Sequence, residues 1–299
     1  MNSDRVQVWK DFVEQIRKER LLVHHITNHV TMNFLANGVL AAGGSPMMVH
    51  DAREVEDAVG VADALVLNIG TLEEASAKSM KLALRKAMHC GVPVVLDPVG
   101  VGLSSFRQET IKELLSEYSK LKGVSPQTIL TICGNAAEMK FLAGLGWDGR
   151  GADGDLNSSE DDLHQLAITA AKQTGCLIAM TGEKDVISDG ERVIELSHGH
   201  HMLSLVTGTG CFATSMIALY QANLKDEAVH TISFLERTAL ALLILTKAAE
   251  EAVKTSRGPG SFQTKLLDEL FLLESTKSIW EDEINWFERT AAVERGAHT

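Results

Sequence analysis

The chain has 299 residues, of which 45% are hydrophobic and 23% charged, so it has enough apolar material for a sizeable core. Its 28 Lys and Arg residues against 40 Asp and Glu give a formal net charge of −12. This charge repels phosphate backbones and, in the absence of a basic cluster, excludes nucleic acid as a partner. The charged N-terminal segment lacks a signal-like apolar core, no apolar run reaches membrane-spanning length, and the four cysteines form no CxxC pair. We therefore expect a cytoplasmic protein with no membrane partner.

Short apolar runs alternate with amphipathic stretches along the first part of the chain, a pattern typical of a doubly wound α/β sheet. Four apolar runs are predicted to be buried parallel strands: Ala64–Ile69, Val92–Leu96, Thr128–Ile132 and Cys176–Met180. The amphipathic stretches between them are predicted to be helices: Leu72–His89, Gln108–Lys120, Asn135–Ala143 and Glu160–Gln173.

The pattern changes after Met180. Three short strands joined by tight turns are predicted to form an antiparallel edge on the parallel sheet: Asp185–Ser188, Arg192–Leu196 and Met202–Val206. Helices follow over Cys211–Ala222 and Val229–Val253, and a further helical region follows Gly258-Pro259-Gly260. No segment resembles a linker, so residues 1–299 are predicted to form a single domain, with a mobile loop at Gly146–Asp162 and a frayed end at Arg295–Thr299.

Polar residues and glycines follow the predicted strands where those strands end. Ligands of open α/β sheets bind beyond the carboxyl ends of the strands. One such end is ordinary turn chemistry, but five on one edge predict a polar ligand site. The five segments are Asn68-Ile69-Gly70-Thr71, Asp97-Pro98-Val99-Gly100, Gly134-Asn135-Ala136-Ala137-Glu138, Thr181-Gly182-Glu183 and Thr207-Gly208-Thr209-Gly210-Cys211.

The last of these segments opens a predicted helix. Its glycines let the backbone approach a ligand, and the N–H groups of Thr209 and Gly210 are predicted to form an oxyanion hole for a transferring phosphoryl group. The alternative is a plain strand-to-helix turn. The same segment also fits a dinucleotide-binding G-x-G-x-x-A pattern, but the second strand that this motif requires is missing. Because Cys211 lies at the helix N-terminus, its thiol pKa is predicted to be lowered, which would let it accept a proton.

Asn135 and Glu138 have the spacing of a helix capping box, and also that of a carboxylate and an amide beside phosphate-bound Mg²⁺. On its own the pair favours the cap. Asp97, which ends a buried strand, supports the metal site, because a buried carboxylate needs a partner.

Together these segments resemble the hydroxyethylthiazole kinases of the ribokinase-like superfamily, from about Leu22 to Phe262. Further matching motifs are His25-Ile26-Thr27-Asn28, Asn37-Gly38, Gly44-Ser45-Pro46-Met47-Met48 and Gly258-Pro259-Gly260-Ser261-Phe262. The resemblance implies a ribokinase-like fold and phosphorylation of the primary alcohol of 4-methyl-5-(2-hydroxyethyl)thiazole by Mg-ATP in thiamine salvage. It also implies a homotrimer with thiazole sites between subunits.

The resemblance further implies roles for individual residues. Met48 and Gly208 should contact the thiazole, with Asn28 nearby. Asn135 and Thr181 should contact ATP.

Other roles concern the metal ion and the reaction itself. Asp97 and Glu138 should manage Mg²⁺ and the phosphates. Cys211 stands where many ribokinase-like enzymes have a catalytic aspartate.

Position 133 departs from the family pattern. Cys133 occupies an ATP-binding position that is often arginine, and a thiol cannot replace a bidentate guanidinium. Either another cation such as Lys140 or Arg150 compensates, or ATP binds weakly.

Two other functions stay open at this point. A related kinase could act on another small alcohol, such as a hydroxymethylpyrimidine, although Cys211 and the Ser45–Met48 segment disfavour it. A non-catalytic thiazole- or nucleotide-binding relative is also conceivable, but such a protein would not need Asp97, Glu138 and Cys211.

Overall fold

A computed structural model of the protein describes residues 3–125, 128–146, 160–225 and 232–272. Its strands are β1 (Leu22–Ile26), β2 (Ser45–Met47), β3 (Ala64–Asn68), β4 (Val94–Asp97), β5 (Leu130–Asn135), β6 (Leu177–Thr181), β7 (Asp185–Ser188) and β8 (Val193–Leu196). Within the described ranges these eight strands form one sheet in the order β2-β1-β3-β4-β5-β6-β7-β8. The pairs from β2 to β6 are parallel, and β7 and β8 are antiparallel. The predicted mostly parallel sheet with an antiparallel edge is therefore confirmed.

Helices cover both faces of the sheet. They are α1 (Ser3–Glu19), α2 (Met32–Ala41), α3 (Val55–Val61), α4 (Glu74–Cys90), α5 (Ser105–Leu121), α6 (Ala136–Leu142), α7 (Glu160–Thr174), α8 (Thr209–Gln221), α9 (Phe234–Thr255) and α10 (Pro259–Leu272). One hydrophobic cluster joins α1, α2, α8, α9 and α10 to one face, and a second joins α3 to α7 to the other.

Successive residues of the central strands point to opposite faces of the sheet and so contribute to both hydrophobic clusters. In β3, Ala64 and Val66 belong to the first cluster, whereas Leu65 and Leu67 belong to the second. Every residue of β3 is buried, as expected of a parallel strand with helices on both sides. The nearly continuous apolar runs in the sequence follow from this two-sided burial.

Helix α9 belongs to the core of this chain. The sequence left open whether its Ala/Leu-rich stretch, Thr238–Val253, faces the core or a partner, and most of that stretch is buried within the chain. A buried polar network fixes the helix, because Gln221 Nε2 donates to Thr238 Oγ1 (2.7 Å) and to Thr131 Oγ1 (2.8 Å). These bonds join α9 to α8 and β5.

The predicted third strand of the antiparallel edge is wrong. Residues 202–206 were expected to be extended, but His201–Leu205 form a 3₁₀ turn. His200 Nδ1 accepts from Met202 N, and Thr209 Oγ1 donates to Leu203 O at 2.7 Å. These side-chain bonds close the turn, and residue alternation does not reveal them.

Two strands were missed, β1 and β2. Strand β1 contains His24 and His25, which disguise it as polar although both are fully buried. Their ring nitrogens bond to Val49 O and to Ser215 Oγ. Strand β2 is a short edge strand that contains Pro46, and an edge is the position where a sheet tolerates proline.

Some predictions fall outside the described residues. These are residues 147–159 of the expected mobile loop, the expected frayed end at Arg295–Thr299, and the first residues of the expected Val229–Val253 helix. Among the residues that are described, no helix combines the length and the apolar character needed to cross a membrane.

Gly38 allows α2 and α8 to approach closely, because a Cβ atom at this position would overlap the ring of Phe212. We expect Gly38→Ala to destabilise the protein by about 1–3 kcal/mol, the usual cost of overpacking a core. Urea unfolding would measure this change.

Gly60→Ala is the matched control, because Gly60 is also helical and its added Cβ would meet only Lys86 Cε at 3.8 Å. This substitution should stabilise the protein by about 0.5–1 kcal/mol through helix propensity. If the two variants shift the unfolding midpoint in the same direction, the close approach of α2 and α8 does not limit stability.

Candidate active site

The carboxyl edge of the sheet holds a connected set of polar side chains. Asn68 and Asp97 are register partners at the ends of β3 and β4. Asn68 Nδ2 donates to Asp97 Oδ2 at 2.6 Å, and Asn28 Nδ2 donates to Asn68 Oδ1 at 3.1 Å. Thr214 of α8 donates to the same Asp97 oxygen at 3.2 Å. The network joins two strands, the segment after β1 and a helix at one point.

Cys211 lies against this network in the first turn of α8. Its Sγ is 3.2 Å from Asn68 Nδ2 and 3.5 Å from Asn28 Nδ2. Burial and, after it, the charge of Asp97 raise the pKa of the Cys211 thiol to about 12. The predicted lowering of this pKa is therefore wrong, because desolvation of the thiolate outweighs the helix N-terminus.

Glu138 caps a helix and also contacts the loop that follows Asp97. Its Oε2 accepts from Asn135 N at 2.8 Å, and Asn135 Oδ1 accepts from Glu138 N at 3.0 Å, which completes a capping box on α6. Its Oε1 accepts from Gly100 N at 2.9 Å and so fixes the loop after Asp97. The sequence offered two alternatives for this residue, a helix cap and a Mg²⁺ ligand, and one side chain in this position is compatible with both.

The two carboxylates destabilise each other's charge. Burial and then the charge of Glu138 raise the pKa of Asp97, and burial raises the pKa of Glu138. Both residues are only 5% exposed. Because burial disfavours the charged forms of both carboxylates, a cation bound between them would stabilise those forms.

The side chains at this edge suit Mg²⁺, which needs few protein ligands, better than a metal ion whose ligands all come from the protein. The described residues contain no group of three or more His, Cys, Asp or Glu side chains able to hold a metal. Mg²⁺ typically takes one or two carboxylates and completes its shell with water and substrate phosphates. Asp97 and Glu138, two buried oxygen donors, match that demand.

The N-terminus of α8 opens beside these carboxylates. Gly208 has φ of 95°, and a Cβ there would lie 2.7 Å from Thr31 Cγ2, so glycine is required on both grounds. Asn28 Oδ1 holds Thr31 through its N–H (3.1 Å) and hydroxyl (3.0 Å). The N–H groups of Thr209 and Gly210, in the first helical turn, have no acceptor within the helix.

Two other predicted site residues, Met48 and Thr181, lie apart from the hydrogen-bonded network, whereas a third, Cys133, borders it through Thr214. Met48 follows β2 on one side of it, packed against the first hydrophobic cluster, and Thr181 ends β6 on the other side. Thr181 Oγ1 is 3.4 Å from Gly134 O. Cys133 is 1% exposed within β5, and burial raises the pKa of its thiol well above the usual value.

Sequence reasoning missed Thr31, Thr214 and Arg107. Thr31 and Thr214 lie at the start of α2 and inside α8, where a threonine carries no signal of its own. Arg107 follows the helix start at Ser105, and its Nη1 donates to Ile69 O at 2.7 Å and to Val99 O at 2.5 Å. Only the folded sheet brings these carbonyl groups together.

The model of the "Hydroxyethylthiazole kinase family" matches residues 13–276. A hydroxyethylthiazole kinase from Alkaliphilus oremlandii is 40% identical over 259 residues, which cover 86% of this chain and 89% of that protein. A solved structure of a hydroxyethylthiazole kinase protein from Pyrococcus horikoshii OT3 aligns with a TM-score of 0.76 at 34% identity, over 93% of this chain and 97% of that one. A ribokinase-like superfamily protein from Enterococcus faecalis V583, at 13% identity and a TM-score of 0.55 over 87% of this chain and 93% of that one, shares the fold alone. The chain belongs to the hydroxyethylthiazole kinase family.

Proposed function

We propose that this protein transfers the γ-phosphoryl group of Mg-ATP to the primary alcohol of hydroxyethylthiazole, a reaction of thiamine salvage. The observation that carries the proposal is the convergence of Asp97, Glu138 and Cys211 at the N-terminus of α8. Oxygen donors for a cation and free N–H groups for an anion meet there. The names of similar relatives point to the same reaction.

The mechanism relies on positioning and on charge stabilisation. Phosphoryl transfer passes through a loose transition state whose charge lies on the oxygens of the transferred group. The N–H groups of Thr209 and Gly210 are proposed to hold that group. Asp97 and Glu138 are proposed to bind Mg²⁺, which would neutralise charge on the nucleotide phosphates.

Cys211 is proposed to orient the alcohol with its sulfur while it keeps its own proton. With a pKa raised to about 12, the thiol is protonated at neutral pH and is not a ready base. A loose transition state places little demand on a base. The alcohol is proposed to lose its proton late, to an oxygen of the transferred phosphoryl group. Loss of the Cys211 side chain should therefore slow the reaction without abolishing it.

Further roles are proposed for residues around this centre. Met48, Gly208 and Asn28 are assigned to the thiazole. The assembly is proposed to be a homotrimer with thiazole sites between subunits, which rests on the family resemblance and on the position of Met48 beside the edge strand β2.

The nucleotide is assigned to the other side of the centre. Asn135 and Thr181 end β5 and β6 and are register partners there, and Cys133 lies two residues before Asn135. Because these ends lie on the side away from Met48, the nucleotide and the thiazole can approach the α8 N-terminus from opposite directions.

ADP release tests the proposed function directly. With Mg-ATP and hydroxyethylthiazole, we expect steady ADP formation in a coupled assay, and a rate at least about tenfold lower with hydroxymethylpyrimidine, since a mismatched pocket costs at least about 1.4 kcal/mol. Faster turnover of the pyrimidine would assign the enzyme to another alcohol. Tight thiazole binding in calorimetry without ADP release would indicate a non-catalytic binder.

Glu138→Ala should separate the two roles of this residue. We expect kcat to fall at least about 100-fold, the usual loss when an electrostatic partner of the transition state is removed. Loss of the cap should also lower the free energy of unfolding by about 1 kcal/mol.

Glu236→Ala is the matched control for this variant. Glu236 forms the equivalent capping box with Ser233 on α9. Because the substitution also removes the ion pair of Glu236 with Arg5, it should lower stability by at least as much, while kcat stays at the wild-type value. A wild-type kcat in Glu138→Ala would reduce Glu138 to a plain helix cap.

The raised pKa of Cys211 predicts slow alkylation. The thiolate is the nucleophile, so the labelling rate at Cys211 should keep rising about tenfold per pH unit from about pH 8 to 10 without levelling off. Exposed Cys90 is the internal control and should label faster. Site-resolved mass spectrometry after iodoacetamide treatment measures both rates. A plateau for Cys211 below about pH 8 in the folded protein would restore the thiolate model.

A further inference from the structure

Arg107 holds a guanidinium group at the same edge of the sheet as the two carboxylates. Its Nη1 donates to Ile69 O, just past β3, and to Val99 O, in the loop after β4. A single nitrogen therefore anchors the side chain to two fixed carbonyl groups. The planar group is held in a defined orientation with its other nitrogens unused by this anchor.

Among the described residues, the charge of Arg107 has no carboxylate partner. In that part of the chain Arg107 forms no ion pair, and its Nε and Nη2 donate no hydrogen bond. Glu138 interacts with this charge only at longer range, and both Glu138 oxygens already accept backbone N–H groups. Partial burial lowers the pKa of Arg107, so the protein holds a cation there at a cost.

The charge balance of the site supplies a reason for that cost. Asp97 and Glu138 lie at the edge where the phosphates of a nucleotide would approach. When ionised, the two carboxylates and those phosphates together carry more negative charge than one Mg²⁺ neutralises, so a net repulsion remains. Cys133 contributes no positive charge at its position in β5. A cation whose free donors lie at this edge offsets part of the repulsion, and a guanidinium fork suits two phosphate oxygens.

We propose that Arg107 binds the β- and γ-phosphates of the nucleotide through Nε and Nη2, and so supplies the guanidinium that position 133 lacks. The proposal rests on the proposed function, in that it assumes a nucleoside triphosphate as the ligand. Arg107 would act by direct contact, while Nη1 keeps its place on Ile69 and Val99.

Two substitutions separate phosphate binding from a purely structural role. Arg107→Lys keeps the charge and can still bond the two carbonyl groups, but it lacks the fork. Arg107→Met removes both. We expect calorimetric Kd values for Mg-ADP and Mg-ATP to rise at least about fivefold in the lysine variant and at least about tenfold in the methionine variant, given the strength of charged hydrogen bonds. Affinities for AMP and hydroxyethylthiazole should stay within about twofold of wild type, because neither ligand carries the phosphates that the fork would bind.

Arg192→Met is the matched control. Arg192 lies in the turn after β7, at the opposite edge of the sheet, where it pairs with Asp189. This variant should bind Mg-ADP as the wild type does.

Wild-type Mg-ADP affinity in the folded lysine variant would overturn the proposal, as would equal losses for AMP and Mg-ADP. Binding is measured without turnover, so a wild-type protein that binds Mg-ATP but leaves hydroxyethylthiazole unphosphorylated would reject the proposed function and leave the test of Arg107 intact.

Discussion

Burying Asp97 and Glu138 together at the carboxyl edge of the sheet costs free energy, and much of the surrounding structure offsets that cost. Asn68 and Thr214 donate to Asp97, and two backbone N–H groups donate to Glu138. These donors come from β3, from α8, from the loop after β4 and from the start of α6. The charges therefore tie together the elements whose relative positions define the site.

The same burial decides the chemistry of Cys211. A helix N-terminus stabilises a nearby anion by about 0.3–1 kcal/mol, whereas desolvation can shift the pKa of a buried group by several units. Here the sulfur also faces a carboxylate and two amide groups, and the carboxylate opposes ionisation more than the amides favour it. A protonated thiol in a phosphoryl-transfer site fits a reaction in which geometry contributes more than a base.

Much of the fold follows from the sequence, because parallel strands buried on both faces leave nearly continuous apolar runs, as in β3 and β4. The placement of Asp97 and Glu138 at one edge of the sheet was also predictable, since the segments that follow parallel strands meet at the same edge. The hydrogen bonds within the site were not. Asn28 and Cys211 are 183 positions apart, and no local pattern announces their contact. In the sequence Arg107 resembles any other helix residue, because its two carbonyl partners come together only in the folded sheet.

The candidate site depends on Glu138, a residue that also belongs to the capping box of α6. The carboxylate that completes the capping box of α6 also fixes Gly100 and faces Asp97. Helix ends are common targets for thermostabilising redesign, because caps are usually interchangeable among a few polar residues. Here that freedom is absent if Glu138 has the proposed role: a redesign of the first turn of α6 would also change the candidate active site, and thermal tolerance could not be tuned separately from turnover at this position.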